Sequence, residues 1–292
     1  MPKYKIANTI WSFEFTEDHK KLFKKFETET TEEAIHSIEF YQVEEFLDDP
    51  SLEEIKDSFG KTIIKIKYLT TKTIFYMLST LKNKKRYEYE LSLLRFGEVM
   101  NKKGFLLLRS SCVTVSGGAM LIVGNKKAGK SNFIKTWLSK YASSEFVSDD
   151  TILVEPNRLG GYVYSSPFTG SMPVVNDFRI PVNGLIILER GIKNKFVDST
   201  GMSGIINVAD CLGIYSDMPN KEQVINYSFA LTNTTPVVKY SGHIDEIEIQ
   251  NIFNKLLTST LKCGKIFLPL LRGVFFVLFS GTKGMSSRLR EV

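Results

Sequence analysis

The sequence predicts an α/β protein, α+β overall, in which a mixed β-sheet core carries a phosphate-binding loop and a smaller N-terminal α+β domain packs against it. Three observations predict this. The stretch Gly124-Asn125-Lys126-Lys127-Ala128-Gly129-Lys130-Ser131 fits G-x-x-x-x-G-K-[ST], the loop whose backbone N–H groups cradle phosphates. Ala119-Met120-Leu121-Ile122-Val123, directly before it, is a continuous apolar run of the kind a strand buried on both faces needs. Directly after it, Phe133, Ile134, Trp137, Leu138 and Tyr141 recur at helical spacing, so the loop opens a helix whose N-terminus favours anions.

The remaining elements follow in chain order. Residues 1–100 form the expected N-terminal domain. Trp11, Phe13 and Phe15 alternate with polar residues, as do Ile64, Ile66 and Tyr68 and then Tyr87, Tyr89 and Leu91, and each set predicts a half-buried strand. The acidic stretches Thr31 to Phe46 and Ser51 to Phe59 are expected to hold short helices, with loose boundaries because no glycine precedes Gly60. The second domain, 101–292, begins with strands at Phe105-Leu106-Leu107-Leu108 and Val113-Thr114-Val115, and Gly117-Gly118 turns the chain into the loop strand. Beyond the loop helix, Phe146 to Val154 is apolar around an acidic pair. Asn157-Arg158-Leu159-Gly160-Gly161 then reads as a hairpin turn before Tyr162-Val163-Tyr164. Leu185-Ile186-Ile187-Leu188 predicts a buried strand, and Ile249, Ile252, Phe253, Leu256 and Leu257 an amphipathic helix.

Composition narrows the partners. The net charge of +6 divides unevenly: residues 1–60 hold 7 Lys/Arg against 15 Asp/Glu, and the rest hold 31 against 17. A basic surface suits phosphate ligands, an acidic macromolecule or a membrane face. No nucleic-acid-binding module is visible, so DNA or RNA is not an expected partner. Cys112, Cys211 and Cys263 share no metal-ligand spacing and cannot all pair, which fits a reducing compartment. With no apolar signal segment at the start, the expectation is cytoplasmic. The apolar stretch 266–279 is short of the ~20 residues a spanning helix needs, and Pro269 and Arg272 interrupt it. A packed strand or helix is expected there, with membrane-surface attachment a secondary reading. Oligomeric state is open.

A phosphate loop needs carboxylates, because Mg²⁺ prefers oxygen ligands and phosphoryl transfer needs an oriented nucleophile. Asp149 and Asp150, 18 and 19 residues beyond Ser131, are the candidates. Neighbouring residues at a strand end point in different directions, so the pair can divide labour. We expect Asp149 to act as base toward an acceptor hydroxyl and Asp150 to bind the metal with Ser131, an assignment that could be exchanged. Lys130 is expected to stabilise charge on the phosphates. Gly124, Asn125, Lys126, Lys127, Ala128, Gly129, Lys130, Ser131 and Asn132 form the expected nucleotide-binding set. Arg179 or Arg190 could add a cation.

These residues together resemble a known family. Gly117 to Ser131, one helix, then Val147-Ser148-Asp149-Asp150-Thr151-Ile152-Leu153-Val154 is similar to the HPr kinase/phosphorylase catalytic domain and to related kinases found with peptide-modifying enzymes, including lasso-peptide kinases. Ser166-Pro167-Phe168-Thr169-Gly170 is similar to the peptide kinases' substrate-side loop, and Leu185 to Gly191 to their following strand. The resemblance covers about 105 to 240. It implies a P-loop fold of the phosphoenolpyruvate-carboxykinase type, with ATP and Mg²⁺ as cofactors and a serine or threonine of a peptide or protein as acceptor. Two positions depart from the family. Relatives often have a histidine where Arg109-Ser110-Ser111-Cys112 has none, which tells against carrying over the phosphorylase activity. They also usually have a glycine where Lys127 stands, so Lys127 needs negative φ or a strained backbone. The three histidines, His19, His36 and His243, lie elsewhere and read as ordinary residues. A small-molecule kinase on the same fold and a non-catalytic nucleotide-binding regulator are the alternative readings.

Overall fold

The computed structural model describes residues 1–17, 19–115, 117–125, 127–158, 160–168, 178–197 and 221–262. The chain is mixed α/β, built on two mixed sheets.

The first sheet has six strands: β1 (Lys3–Ile6), β2 (Thr9–Glu14), β3 (His36–Val43), β4 (Glu53–Lys56), β5 (Thr62–Tyr68) and β6 (Lys72–Leu78), in the order β1-β2-β3-β6-β5-β4. A short helix, α1 (Lys20–Phe23), lies between β2 and β3. β1 and β2 form a hairpin closed by Ala7 and Asn8, both at positive φ (47° and 60°), the backbone of a two-residue turn that matches strand twist. Here the turn is made without glycine, which is why composition did not mark it.

Three expectations for this region are corrected. The acidic stretches read as short helices contain β3 and β4 instead. β3 runs parallel between β2 and β6, with Ile38 and Phe40 buried. Its Glu39 is buried too, against Lys72 Nζ at 2.7 Å, so an acidic composition hid a central strand. β4 is an edge strand, where charged residues such as Glu53 and Glu54 guard against unwanted pairing. Tyr87, Tyr89 and Leu91 lie not on a strand but on α2 (Lys84–Lys102). That helix buries Glu88, Ser92, Leu93, Phe96, Gly97 and Met100, a helical stripe whose first members are polar and so escape an apolar pattern search. Glu88 is fully buried and accepts from Thr16 N (2.9 Å), Thr16 Oγ1, Glu17 N (3.1 Å) and His19 Nε2 (3.1 Å). Those four bonds offset its desolvation and tie the end of β2 to the helix.

The second sheet comprises β7 (Leu106–Leu108), β8 (Ser110–Val115), β9 (Gly118–Val123), β10 (Phe146–Ser148), β11 (Ile152–Glu155), β12 (Tyr162–Tyr164), β13 (Arg179–Glu189), β14 (Lys195–Val197) and β15 (Val237–Ser241). Its helices are α3 (Lys130–Lys140), α4 (Lys221–Thr234) and α5 (Glu246–Lys262). β13 is long enough to serve two neighbourhoods. Its first residues pair with β12, which continues to β11 and β7, while Val182 to Glu189 lie parallel between β9 and β15. β8 runs antiparallel to β9, and β10 antiparallel to β8. The turn read at Asn157 to Gly161 does join the antiparallel strands β11 and β12.

β9 is buried throughout, and its side chains serve two cores in alternation. Met120 and Ile122 join Phe133, Ile134 and Trp137 of α3 and Ile249, Ile252 and Phe253 of α5. Ala119, Leu121 and Val123 face the other core, which is continuous with Trp11, Phe13 and Phe40 of the first sheet and Phe96 of α2. Phe168 is the aromatic joint, fully buried with ring centroids 6.3 Å from Phe13, 5.5 Å from Phe23, 5.6 Å from Tyr89 and 5.2 Å from Phe96. The apolar segment 266–279, Cys211 and Cys263 lie outside the described residues. Among the described residues no helix is long and apolar enough to cross a membrane.

Two outcomes are expected. Phe168→Ala should destabilise the chain by roughly 3–5 kcal/mol, and spectroscopic probes of both sheets should move together in urea denaturation. Separate transitions would contradict the shared core. His36 is buried against Thr73 Oγ1 at 3.0 Å, and its pKa is lowered to about 4 by burial and then by the charges of Arg95 and Lys102. Between about pH 6.5 and 4 the unfolded chain therefore takes up a proton that the folded chain refuses, so stability is full above that window and falls as pH drops through it. Comparing urea midpoints at pH 7 and 4.5, His36→Gln should remove about 2 kcal/mol of the loss.

Candidate functional site

The loop from Gly124 to Gly129 leaves the carboxyl end of β9 and enters α3 at Lys130. Its glycines answer to local geometry. A Cβ on Gly124 would stand 2.7 Å from Leu188 O and 3.0 Å from Ala128 Cβ, because the loop folds tightly against the end of β13. Gly129 caps α3 in the left-handed conformation at φ 100°, and its carbonyl accepts from Phe133 N at 2.9 Å. Ala128 N donates to Asn125 O at 3.0 Å and closes the intervening turn. Lys127 adopts φ 68°, so the strained alternative holds, at a cost of ~1–2 kcal/mol for a side-chain-bearing residue. Lys126 lies outside the described residues, and Asn132 is exposed on the first turn of α3.

Lys130 is only 8% exposed, and its Nζ donates to Gly124 O at 2.8 Å and to Asn125 O at 3.4 Å. The ammonium thus sits inside the curve of the loop, at the positive end of α3. Asp149 follows β10, whose Ser148 pairs with Cys112 of β8, so its carboxylate emerges beside Ser111. Ser111 Oγ donates to Asp149 Oδ1 at 2.5 Å, and Ser131 Oγ donates to Asp149 Oδ2 at 3.2 Å. The buried carboxylate is held by two hydroxyls, one from a strand and one from the loop helix. The chain brings Lys130, Ser131 and Asp149 together across an 18-residue separation.

Asp150 behaves differently. It has φ 83° and redirects the chain from β10, paired with β8, to β11, paired with β7 and β12. The apolar run from Phe146 to Val154 is therefore two strands with the acidic pair at the break. Asp150 is only partly buried, and its charge acts on the Tyr89 hydroxyl of α2. Burial first and Asp150 second push that hydroxyl well above its ordinary range, while Arg109 pulls it down.

Arg179 is corrected as a source of transition-state charge. Ile187 is the residue of β13 that pairs with Val123, and Arg179 lies eight residues earlier, roughly 26 Å away at ~3.3 Å per residue. There it stacks on Tyr162 at 3.4 Å and donates to Tyr164 Oη at 2.7 Å. Arg190 is exposed at the correct end of β13. Sequence reasoning missed Ser111, which stands in the segment searched for a histidine. No local signal marks Ser111, because its partner is a carboxylate that follows another strand, β10, brought beside β8 by pairing.

No protein-family profile matches this sequence, and no curated protein matches it. Among solved structures it is similar to the Hpr(Ser) kinase/phosphatase from Coxiella burnetii, at 10% identity and a TM-score of 0.28, over 59% of this chain and 98% of that one. A superposition that loose transfers no chemistry, so the chemistry of this chain rests on its own residues.

Replacing Lys127 by glycine should relieve the left-handed strain and raise stability by about 1 kcal/mol in urea denaturation. A decrease would mean that the lysine side chain stabilises the loop by more than its backbone conformation costs.

Proposed function

We propose that this chain is an ATP-dependent kinase that transfers the γ-phosphate to a hydroxyl, that of a serine or threonine of a peptide or protein. The observation that carries the reading is the Ser131–Asp149 contact of 3.2 Å beside the Lys130 ammonium. The residues fit Mg²⁺. Cis ligands of an octahedral Mg²⁺ at 2.0–2.1 Å stand roughly 2.9 Å apart, close to the spacing of these two hard oxygens. When bound, Mg²⁺ would neutralise charge on the nucleotide phosphates.

This contact favours exchanging the roles that spacing alone suggested. Asp149, clasped by Ser111 and Ser131, suits the metal side. Asp150, less buried than Asp149, suits the base that takes the proton from the acceptor hydroxyl. Lys130 would hold the β- and γ-phosphates, and the amides at the start of α3 would hold the nucleotide phosphates. Tyr89 also lines an open cavity of about 400 Å³ with His19, Leu22, Asn83, Lys85 and Arg86. Residues 1–100 would take part in acceptor recognition, the acidic excess of 1–60 (15 Asp/Glu against 7 Lys/Arg) suiting a basic peptide.

The test is mass spectrometry of candidate peptides, proteins and small hydroxyl compounds after incubation with ATP and Mg²⁺, seeking one added phosphate. Phosphate on a small molecule alone would favour the small-molecule kinase. Tight nucleotide binding without transfer to any acceptor would favour the regulator. Asp150→Asn should cut transfer by ~10²–10⁴ while leaving Mg²⁺-nucleotide affinity within about a few-fold. Asp149→Asn should instead raise the Mg²⁺ requirement, because it subtracts a hard anionic ligand. The reverse pattern would restore the original division of roles.

A further inference from the structure

Arg109 stands at the junction of the loop, the acidic pair and α2. Ser110, the first residue of β8, pairs with Val123, the last of β9, so Arg109 lies abreast of Gly124, where the loop begins. On its other side, Ser148 pairs with Cys112 and Ile152 with Leu108, so the backbone carrying Asp150 crosses β8 at the level of Arg109 and Ser110. The charges of both Arg109 and Asp150 act on the Tyr89 hydroxyl of α2.

What sets this arginine apart among the described residues is a buried side-chain N–H with no partner. Arg109 Nε is buried and has no hydrogen-bond partner among the described residues, nor does any ion pair among them include Arg109. Elsewhere Arg86 pairs with Glu90 at 2.8 Å and Arg95 with Glu98 at 2.7 Å. Leaving a buried N–H of a guanidinium unpaired is unfavourable, and the planar fork of donors matches phosphate oxygens.

We infer that Arg109 binds the γ-phosphoryl group as it passes from the loop to an acceptor at Asp150. The inference rests on the kinase reading and deepens it. In the transfer, the bond between the γ-phosphorus and the β-phosphate oxygen breaks, and a bond from the acceptor oxygen to the γ-phosphorus forms. The acceptor proton goes to Asp150, and ADP leaves. Arg109 neutralises the equatorial oxygens of the moving group throughout. Lys130 and the loop amides serve the part of the nucleotide that stays behind. Arg109 serves the part that leaves, so it distinguishes triphosphate from diphosphate.

The experiment titrates the full-length protein calorimetrically with ADP and with a non-hydrolysable β,γ-imido analogue of ATP, each with Mg²⁺, for the wild type, Arg109→Gln and Arg109→Lys. Arg109→Gln should weaken analogue binding by about tenfold or more and leave ADP binding within about twofold. Its transfer rate should fall by ~10²–10³, with Arg109→Lys intermediate in both readouts. The melting temperature of unliganded Arg109→Gln should match or exceed the wild type's, because a cation without an ion pair among the described residues has been removed. Equal losses for ADP and the analogue, or unchanged affinities with a lowered melting temperature, would overturn the inference and make Arg109 structural. A wild type that binds neither nucleotide would overturn both this inference and the kinase reading. A wild type that binds both but transfers nothing would overturn the kinase reading alone, and the analogue-to-ADP comparison would still decide the role of Arg109 in binding.

Discussion

The Asp149 carboxylate, held between Ser111 and Ser131, is the contact on which the site depends. It joins β8, the end of β10 and the first turn of α3, three segments that meet only because β8 pairs with β9 on one side and β10 on the other. A buried carboxylate is tolerated only when hydrogen bonds replace its water. The two serine hydroxyls meet that demand, and in doing so they fix where the loop helix begins relative to the sheet. Unusual backbone stands nearby. Asp150 turns at positive φ directly after the clasped residue, and Lys127 does so where the loop bends back toward α3. Strain of this kind persists only where surrounding structure holds it, as the packed strands on either side of β9 do.

The two sheets are not independent supports. The core under β9 and β13 continues through Phe168 and Phe96 into the N-terminal sheet, and α2 carries Tyr89 from that sheet to the neighbourhood of Asp150. That helix is anchored at its start by the bonds from Thr16, Glu17 and His19 to Glu88.

The parts of the molecule legible in the sequence were those with a strong local signal. The apolar run at Ala119 to Val123, the glycines and lysine of the loop, and the spacing of Phe133, Ile134 and Trp137 each implied its element, because the two-faced burial of β9 and the helical stripe of α3 leave direct marks on composition. What was not legible depended on partners distant in sequence. β3 reads as acidic because Glu39 is neutralised by Lys72 on β6. The first turns of α2 read as alternating because the buried stripe there starts with Glu88 and Ser92. At the site, spacing alone found the acidic pair but could not say which carboxylate meets Ser131. That follows from the register of β10 against β8, to which Phe146 and Ser148 contribute through an irregular step.

The central claim is that Ser131 and Asp149 form one oxygen site completed by nucleotide phosphate. The most direct measurement is a titration with Mn²⁺ as the probe metal, followed by electron paramagnetic resonance, with and without ADP. A single equivalent of Mn²⁺ should bind tightly only when ADP is present, and Ser131→Ala should weaken it while the protein remains folded. Mn²⁺ that binds equally well without nucleotide, or that is indifferent to loss of the Ser131 hydroxyl, would contradict the account.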